Sequence, residues 1–231
     1  MNSDQQNFLN RIKDSLRHTH LPAATPEHPG SFQGYSYQAN APLAKMAEAF
    51  ARELQALSGY VHLLEETEFV LPIIVEILQK HQAERIIAWD HEELGLPWVG
   101  GALAEAGIAI EINDLPAEVE ERKASLARLD GVRVGLTGAQ GGLADTGTLA
   151  LVSGPGRGRL ASLLPPVHIA LLPVQKLYPS LPAFLAANPG IAAEGSNLVL
   201  ITGPSRTADI ELTLSMGVHG PKEIHVVIFP G

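Results

Sequence analysis

From Tyr60 onward the chain alternates short apolar runs with longer amphipathic stretches, and this rhythm constrains the fold more than any other feature. YVHLL (60–64), RIIAW (85–89), IAIEI (108–112) and VRVGLTG (132–138) have the length and apolar content of buried strands. Between them, residues 66–80, 97–106 and 116–129 repeat their apolar side chains every three to four positions, the period of a helix. Parallel strands need a crossover connection, and a helix of this length supplies one. The alternation therefore predicts an α/β domain with a largely parallel sheet flanked by helices. Pro72 lies inside the first of these helical stretches, where it marks a first turn or a kink.

The second half is denser in strands. LADTGTLALVS (143–153) alternates in its later part, VHIALLPV (167–174) is continuously apolar, and EIHVVIFPG (223–231) closes the chain. NLVLITG (197–203) reads as a strand feeding a helix over about 206–216, with Ile210, Thr213 and Leu214 on its inner face. Ahead of Tyr60, Phe8, Leu9, Ile12 and Leu16 predict a helix over 3–18. A Pro/Gly-rich connector follows (21–42). Leu43, Met46, Ala47, Phe50 and Leu54 then predict a second helix over 41–56, ending near Gly59. The expected organisation is a helical arm with its connector (1–57) and an α/β domain (58–231).

Composition narrows the chemistry. The 231 residues contain no cysteine, which excludes disulfides, thiolate zinc, a cysteine nucleophile and Cys-ligated iron–sulfur clusters on this chain. The net charge is −9, and 15 of the 25 acids fall within 61–130, a distribution expected of solvated helix faces. An acidic chain without a basic run repels the phosphate backbone, so no nucleic-acid partner is expected. No apolar run reaches the ~18–20 residues of a membrane span, and the polar start MNSDQQNFLN has no signal-peptide core, so a cytoplasmic protein without a membrane span is expected.

Charges are few in the last 101 residues, five acids and six bases, and those among glycines and apolar runs need a partner or a purpose. Three segments stand out. In the first, Gly203, Pro204, Ser205, Arg206, Thr207 and Asp209 occupy the expected strand-to-helix junction. There, free N–H groups and a guanidinium would hold an anion at a strand's carboxyl end, or Ser205 or Thr207 simply caps the helix with Arg206 paired to an acid. In the second, Asp145, Thr146, Gly147 and Thr148 follow a glycine cluster. They offer a general base and hydroxyls for a polar ligand, or a hairpin whose Asp145 and Thr146 bond locally. In the third, His219, Gly220 and Lys222 form a turn before the last strand, presenting a titratable ring and a cation, or a structural hydrogen bond.

Other features carry less. GPGRGR (154–159) has the composition of a phosphate nest but lacks P-loop spacing, and reads as a surface loop. Glu194 is a lone acid before a strand, and His168 and His225 lie within strand runs as core or edge residues. With no HxxxH or HExxH pair and no strand–GxGxxG–helix fingerprint, neither a metal nor a flavin or nicotinamide cofactor is expected.

The run GLADTGTLALVS, then LLPPVHIALLP, then ITGPSRTADIELTLSMGVHGPKEIHVVI resembles the LUD domain family, and within it the lactate utilization protein C subfamily. That resemblance covers about 60–231 and implies a fold of the NagB/RpiA/CoA-transferase-like group. It also implies a role in a cytoplasmic three-component system that oxidises L-lactate to pyruvate, whose partner subunits carry the iron–sulfur clusters. The family's signature falls on Asp145 to Thr148, Gly203 to Thr207, Asp209, and His219 to Lys222. Many relatives carry Glu where Asp145 stands. Coenzyme-A transferases of this fold use a glutamate nucleophile, but Asp145 and Glu194 lack a matching motif, so transferase activity is not assigned.

Three functions follow as alternatives. The first is a non-redox subunit that binds a small anionic metabolite or docks on iron–sulfur partners. The second is a freestanding isomerase, ligase or acyl transferase acting on a phosphorylated or CoA-thioester substrate, with Asp145, Glu194 or His219 as the catalytic group. The third is a regulatory or assembly module.

Overall fold

The computed structural model describes residues 6–7, 10–11, 14, 41–112, 115–208, 214–216 and 220–231. The chain divides into two compact units, Met1–Ser36 and Tyr37–Gly231. In the first, residues 6–7, 10–11 and 14 are helical, within the span the spacing predicts; the other residues up to 40 lie outside the described ones.

The second unit is built on six parallel strands: β1 (Tyr60–Leu63), β2 (Arg85–Ala88), β3 (Ala109–Ile112), β4 (Val134–Gly138), β7 (Val167–Pro173) and β12 (Glu223–Phe229). Their order across the sheet is β1-β12-β7-β4-β2-β3, and every neighbouring pair is parallel. All five residues of β4 are buried, as are the first six of β7, because both faces of the central strands are covered. Helices α2 (Val70–Lys80), α3 (Trp98–Glu105) and α4 (Val119–Leu129) provide the crossovers. Pro72 sits in the first turn of α2, where no N–H is missed.

A smaller sheet has the order β8-β5-β6-β9, with β5 (Gly141–Leu143), β6 (Thr148–Ser153), β8 (Leu177–Tyr178) and β9 (Asn197–Ile201). Helix α1 (Leu43–Ala56), part of the arm in the sequence reading, buries Met46, Ala47, Phe50 and Leu54 in the same core as the large sheet. Phe50 is fully buried, and such burial contributes ~1.5–3 kcal/mol for a side chain of this size. Among the described residues are also two short helices, α5 (Leu160–Leu163) and α6 (Leu181–Ala187).

The structure departs from the sequence reading at 206–216. In place of a helix, β10 (Arg206–Ala208) pairs antiparallel with β11 (Leu214–Met216), while 209–213 lie outside the described residues. The reason is visible in the composition: Ala208, Ile210, Leu212, Leu214 and Met216 alternate with Thr207, Asp209, Glu211, Thr213 and Ser215. A strict period of two suits a ribbon with one apolar face and outweighs the coincidental four-residue spacing of Ile210 and Leu214.

Imidazoles mark the sheet interior. His168 on β7 is fully buried with Nε2 2.9 Å from Thr137 Oγ1, and burial, reinforced by nearby His225, lowers its pKa to about 3. His225 on β12 is stacked against Tyr60 at 4.6 Å between centroids. Burial, with neighbouring His62 adding to it, lowers its pKa to about 4, so both rings are neutral near pH 7.

Candidate functional site

Of the three segments singled out by sequence, two meet at the end of α1. β5 and β6 form a hairpin whose turn carries Asp145 and Thr146; Thr146 Oγ1 donates to Asp145 Oδ1 at 3.2 Å, the local bonding that a hairpin predicts. Gly147 has φ of 62°, and a Cβ there would stand 2.5 Å from the Leu54 amide nitrogen, so glycine lets this turn seat directly on α1. Thr148 Oγ1 donates to Thr146 Oγ1 and lies 2.7 Å from Thr202 Oγ1, joining the hairpin to the loop after β9. Burial raises the Asp145 carboxyl pKa, with the Thr146 hydrogen bond opposing and Glu53 adding repulsion.

That loop sits at the opposite end of the large sheet from the expected one. The Ser205 amide donates to Pro221 O at 2.9 Å, just ahead of the amino end of β12, and Gly220 lies against Ser205. The Arg206 guanidinium, exposed, donates to Leu57 O and, at 3.2 Å, to Ser58 Oγ. The junction is therefore no helix N-terminus, and it does not lie at a carboxyl end of the parallel strands; Arg206 ties the loop to Leu57 and Ser58, the residues that follow α1. Pro204 is buried. Thr207 is placed by its backbone in β10, and Asp209 and His219 lie outside the described residues. Lys222, exposed, lines a separate cavity with Lys80, His81 and Arg133 at the start of β7 and β12.

The carboxyl ends of β2, β4 and β7 gather a different set. Gly154-Pro155-Gly156-Arg157, read from sequence as a surface loop, forms a tight turn: the Arg157 amide donates to Gly154 O at 2.9 Å and the Gly154 amide to Arg157 O at 3.2 Å. Proline followed by a glycine at φ of 68° is the chemistry such a turn requires. The Asp90 amide, two residues past β2, donates to Gly156 O at 2.9 Å, and buried Trp89 Nε1 donates to Gly158 O at 3.0 Å, which fold the turn over the end of β2.

This turn places a guanidinium. The Arg157 side chain is only 15% exposed, and its Nε is buried without a partner. Its terminal nitrogens reach Glu93 Oε2 at 3.8 Å and the Glu194 carbonyl at 3.3 Å, so Glu194 contributes its main chain while its side chain faces solvent. Lys176, in the short turn after β7, donates to Ala139 O at the end of β4 at 3.2 Å. Burial depresses the Lys176 pKa; Glu93 opposes this and Arg157 adds to it, so the two cations and Glu93 share one locality. Arg157 touches Glu93 too loosely to be saturated, and an unsatisfied buried donor is costly. Two cations flanked by Glu93 and Asp90 suit a small polar anion bearing both a carboxylate and a hydroxyl.

Sequence reasoning missed Arg157, Lys176, Glu93 and Asp90 as a group. The available signal was the principle already applied to Arg206: a charge amid glycines and prolines needs a purpose, and two arginines stood in that stretch.

The LUD domain model matches residues 47–229. An uncharacterised protein of Neisseria meningitidis serogroup B is 39% identical over 134 residues, 55% of each chain, so the matched region spans about half the length of that relative. Lactate utilization protein C of a Geobacillus species is 31% identical over 207 residues, covering 85% of this chain and 81% of that one. The crystal structure of a DUF162 family protein from Deinococcus radiodurans superposes with a TM-score of 0.58 at 20% identity, covering 82% of this chain and 99% of that one, a likeness of fold. Among the described residues, no helix is long and apolar enough to cross a membrane.

Proposed function

The chain belongs to the LUD domain family and, within it, to the lactate utilization protein C group; from that premise we propose that it serves lactate utilization as a non-redox component, holding a small 2-hydroxy or 2-oxo carboxylate at the carboxyl ends of its central strands. One observation carries the reading. Arg157, largely buried with an unpartnered Nε, stands with Lys176 where β2, β4 and β7 end, the region where open α/β sheets bind their ligands. A carboxylate seated there would take the paired N–H donors of the guanidinium, and the Lys176 ammonium would add a point charge. With no cysteine, the chain supplies no thiolate to an iron–sulfur cluster, so the electrons of lactate oxidation pass to cluster-bearing partner subunits in this reading.

Titration calorimetry with L-lactate and pyruvate tests it. Saturable binding is expected, weakened at least ~10-fold in Arg157→Gln, the loss typical of one charged hydrogen-bonding partner. Absence of saturable binding to the native chain, or equal affinity in Arg157→Gln, refutes the proposal.

A further inference from the structure

At the opposite, amino-terminal end of the sheet, three metal-ligating side chains converge. His81 immediately follows α2, and Glu223 and His225 open β12. Residues two apart on a strand point to the same face, so Glu223 and His225 project together toward the end of α2. Glu223 Oε2 is 3.2 Å from His81 Nε2 and 3.5 Å from His225 Nε2, and the three donor atoms lie within 4.8 Å of one another. A tetrahedral zinc with bonds of about 2.0–2.1 Å has ligand–ligand edges of about 3.3 Å, the scale of the two carboxylate–imidazole separations.

Both imidazole nitrogens are buried and have no hydrogen-bond partner. The His225 side chain is 4% exposed. Two buried imidazole nitrogens gathered on one carboxylate oxygen, neither aligned for a full hydrogen bond to it, form a donor set that a cation would satisfy. The far side of the His225 ring is already committed: its Nδ1 lies 3.2 Å from His62 Nε2, and Tyr60 stacks on its face. Such outer contacts orient a ligating imidazole and leave the other nitrogen for the ion.

We infer that His81, Glu223 and His225 bind a divalent first-row transition metal, zinc by ligand type, through two imidazole nitrogens and one carboxylate. His81 and Glu223 also line a cavity of about 340 Å³ with Lys80, Arg133 and Lys222. The ion would thus keep a position open to water or a small anion, as three-ligand sites do. Lys80 Nζ, 3.3 Å from Glu223 Oε2 on a half-exposed side chain, holds the carboxylate when no ion is present and competes with one. This site is separate from the anion site at Arg157 and stands or falls independently of it.

The full chain, stripped with a chelator and titrated with cobalt(II), tests the inference. Expected are one cobalt per chain, visible d–d absorption of a low-coordinate site, and displacement by one equivalent of zinc(II). His81→Gln and Glu223→Gln, both partly exposed, should each weaken cobalt affinity at least roughly tenfold while circular dichroism shows the fold retained, and Lys80→Gln should strengthen it. No saturable binding at one equivalent, or a stoichiometry and spectrum that survive both His81→Gln and Glu223→Gln, overturns the inference.

Discussion

Two turns of nearly identical sequence, Gly154-Pro155-Gly156-Arg157 and Gly203-Pro204-Ser205-Arg206, lie at opposite ends of the large sheet's strands. In the first, the positive φ falls on Gly156, the turn closes on itself, and Arg157 is tucked against the carboxyl ends of the strands. In the second, it falls on Gly203, the loop runs on into β10, and exposed Arg206 bonds to Leu57 and Ser58 just past α1. Four residues of shared chemistry thus produce a candidate ligand group in one place and a strut in the other. What separates them is the strand each follows: β6 and β9 pair antiparallel, so their carboxyl ends point in opposite directions.

Substitution at the third position of each turn should break the likeness most sharply. Gly156→Val combines a left-handed backbone with a Cβ 2.6 Å from Asp90 Oδ2, and is expected to cost ~2–4 kcal/mol in chemical denaturation. Ser205→Val, at a position without positive φ, should stay within about 0.5 kcal/mol. Equal losses would show that the turns are conformationally alike after all.

Next come the arginines. Arg206→Gln should cost ~1 kcal/mol of stability, the worth of its bonds to Leu57 and Ser58, and leave lactate affinity within about twofold; the reverse pattern, with Arg157→Gln leaving affinity intact, would return the anion site to the sequence-predicted loop.

The smallest effect concerns pH. The Lys176 pKa is depressed by burial, so its charge is lost below the usual lysine range as pH rises. Anion affinity should therefore decline through the depressed pKa, and Lys176→Arg should move that decline to higher pH. A calorimetric pH series checks this, and an identical decline in Lys176→Arg would remove Lys176 from the site.

The strands of the large sheet and the helices between them were legible because apolar spacing is a local property, and buried parallel strands carry it in every residue. The misreading at 206–216 came where two periods coexist in one segment and the alternating one prevailed. The proposed anion site was only half legible. Its turn was visible as Gly154 to Arg157, but Glu93, Ala139 and Lys176 reach it from three other strand ends. The metal-ligating cluster shows the same limit: Glu223 and His225 announce themselves by their two-residue spacing on a strand, whereas His81 stands 142 positions earlier.

Local patterning in the chain was enough to fix the strands and crossover helices of the large sheet, the lack of thiolate chemistry, and the presence of two Gly-Pro-x-Arg segments. Which arginine is buried, which end of the sheet each loop occupies, and which histidines share a carboxylate emerged from long-range packing alone. The reason is physical: backbone conformation follows from neighbours within a few residues, while a site depends on groups brought together by sheet order, and parallel strands joined by crossovers place distant segments side by side.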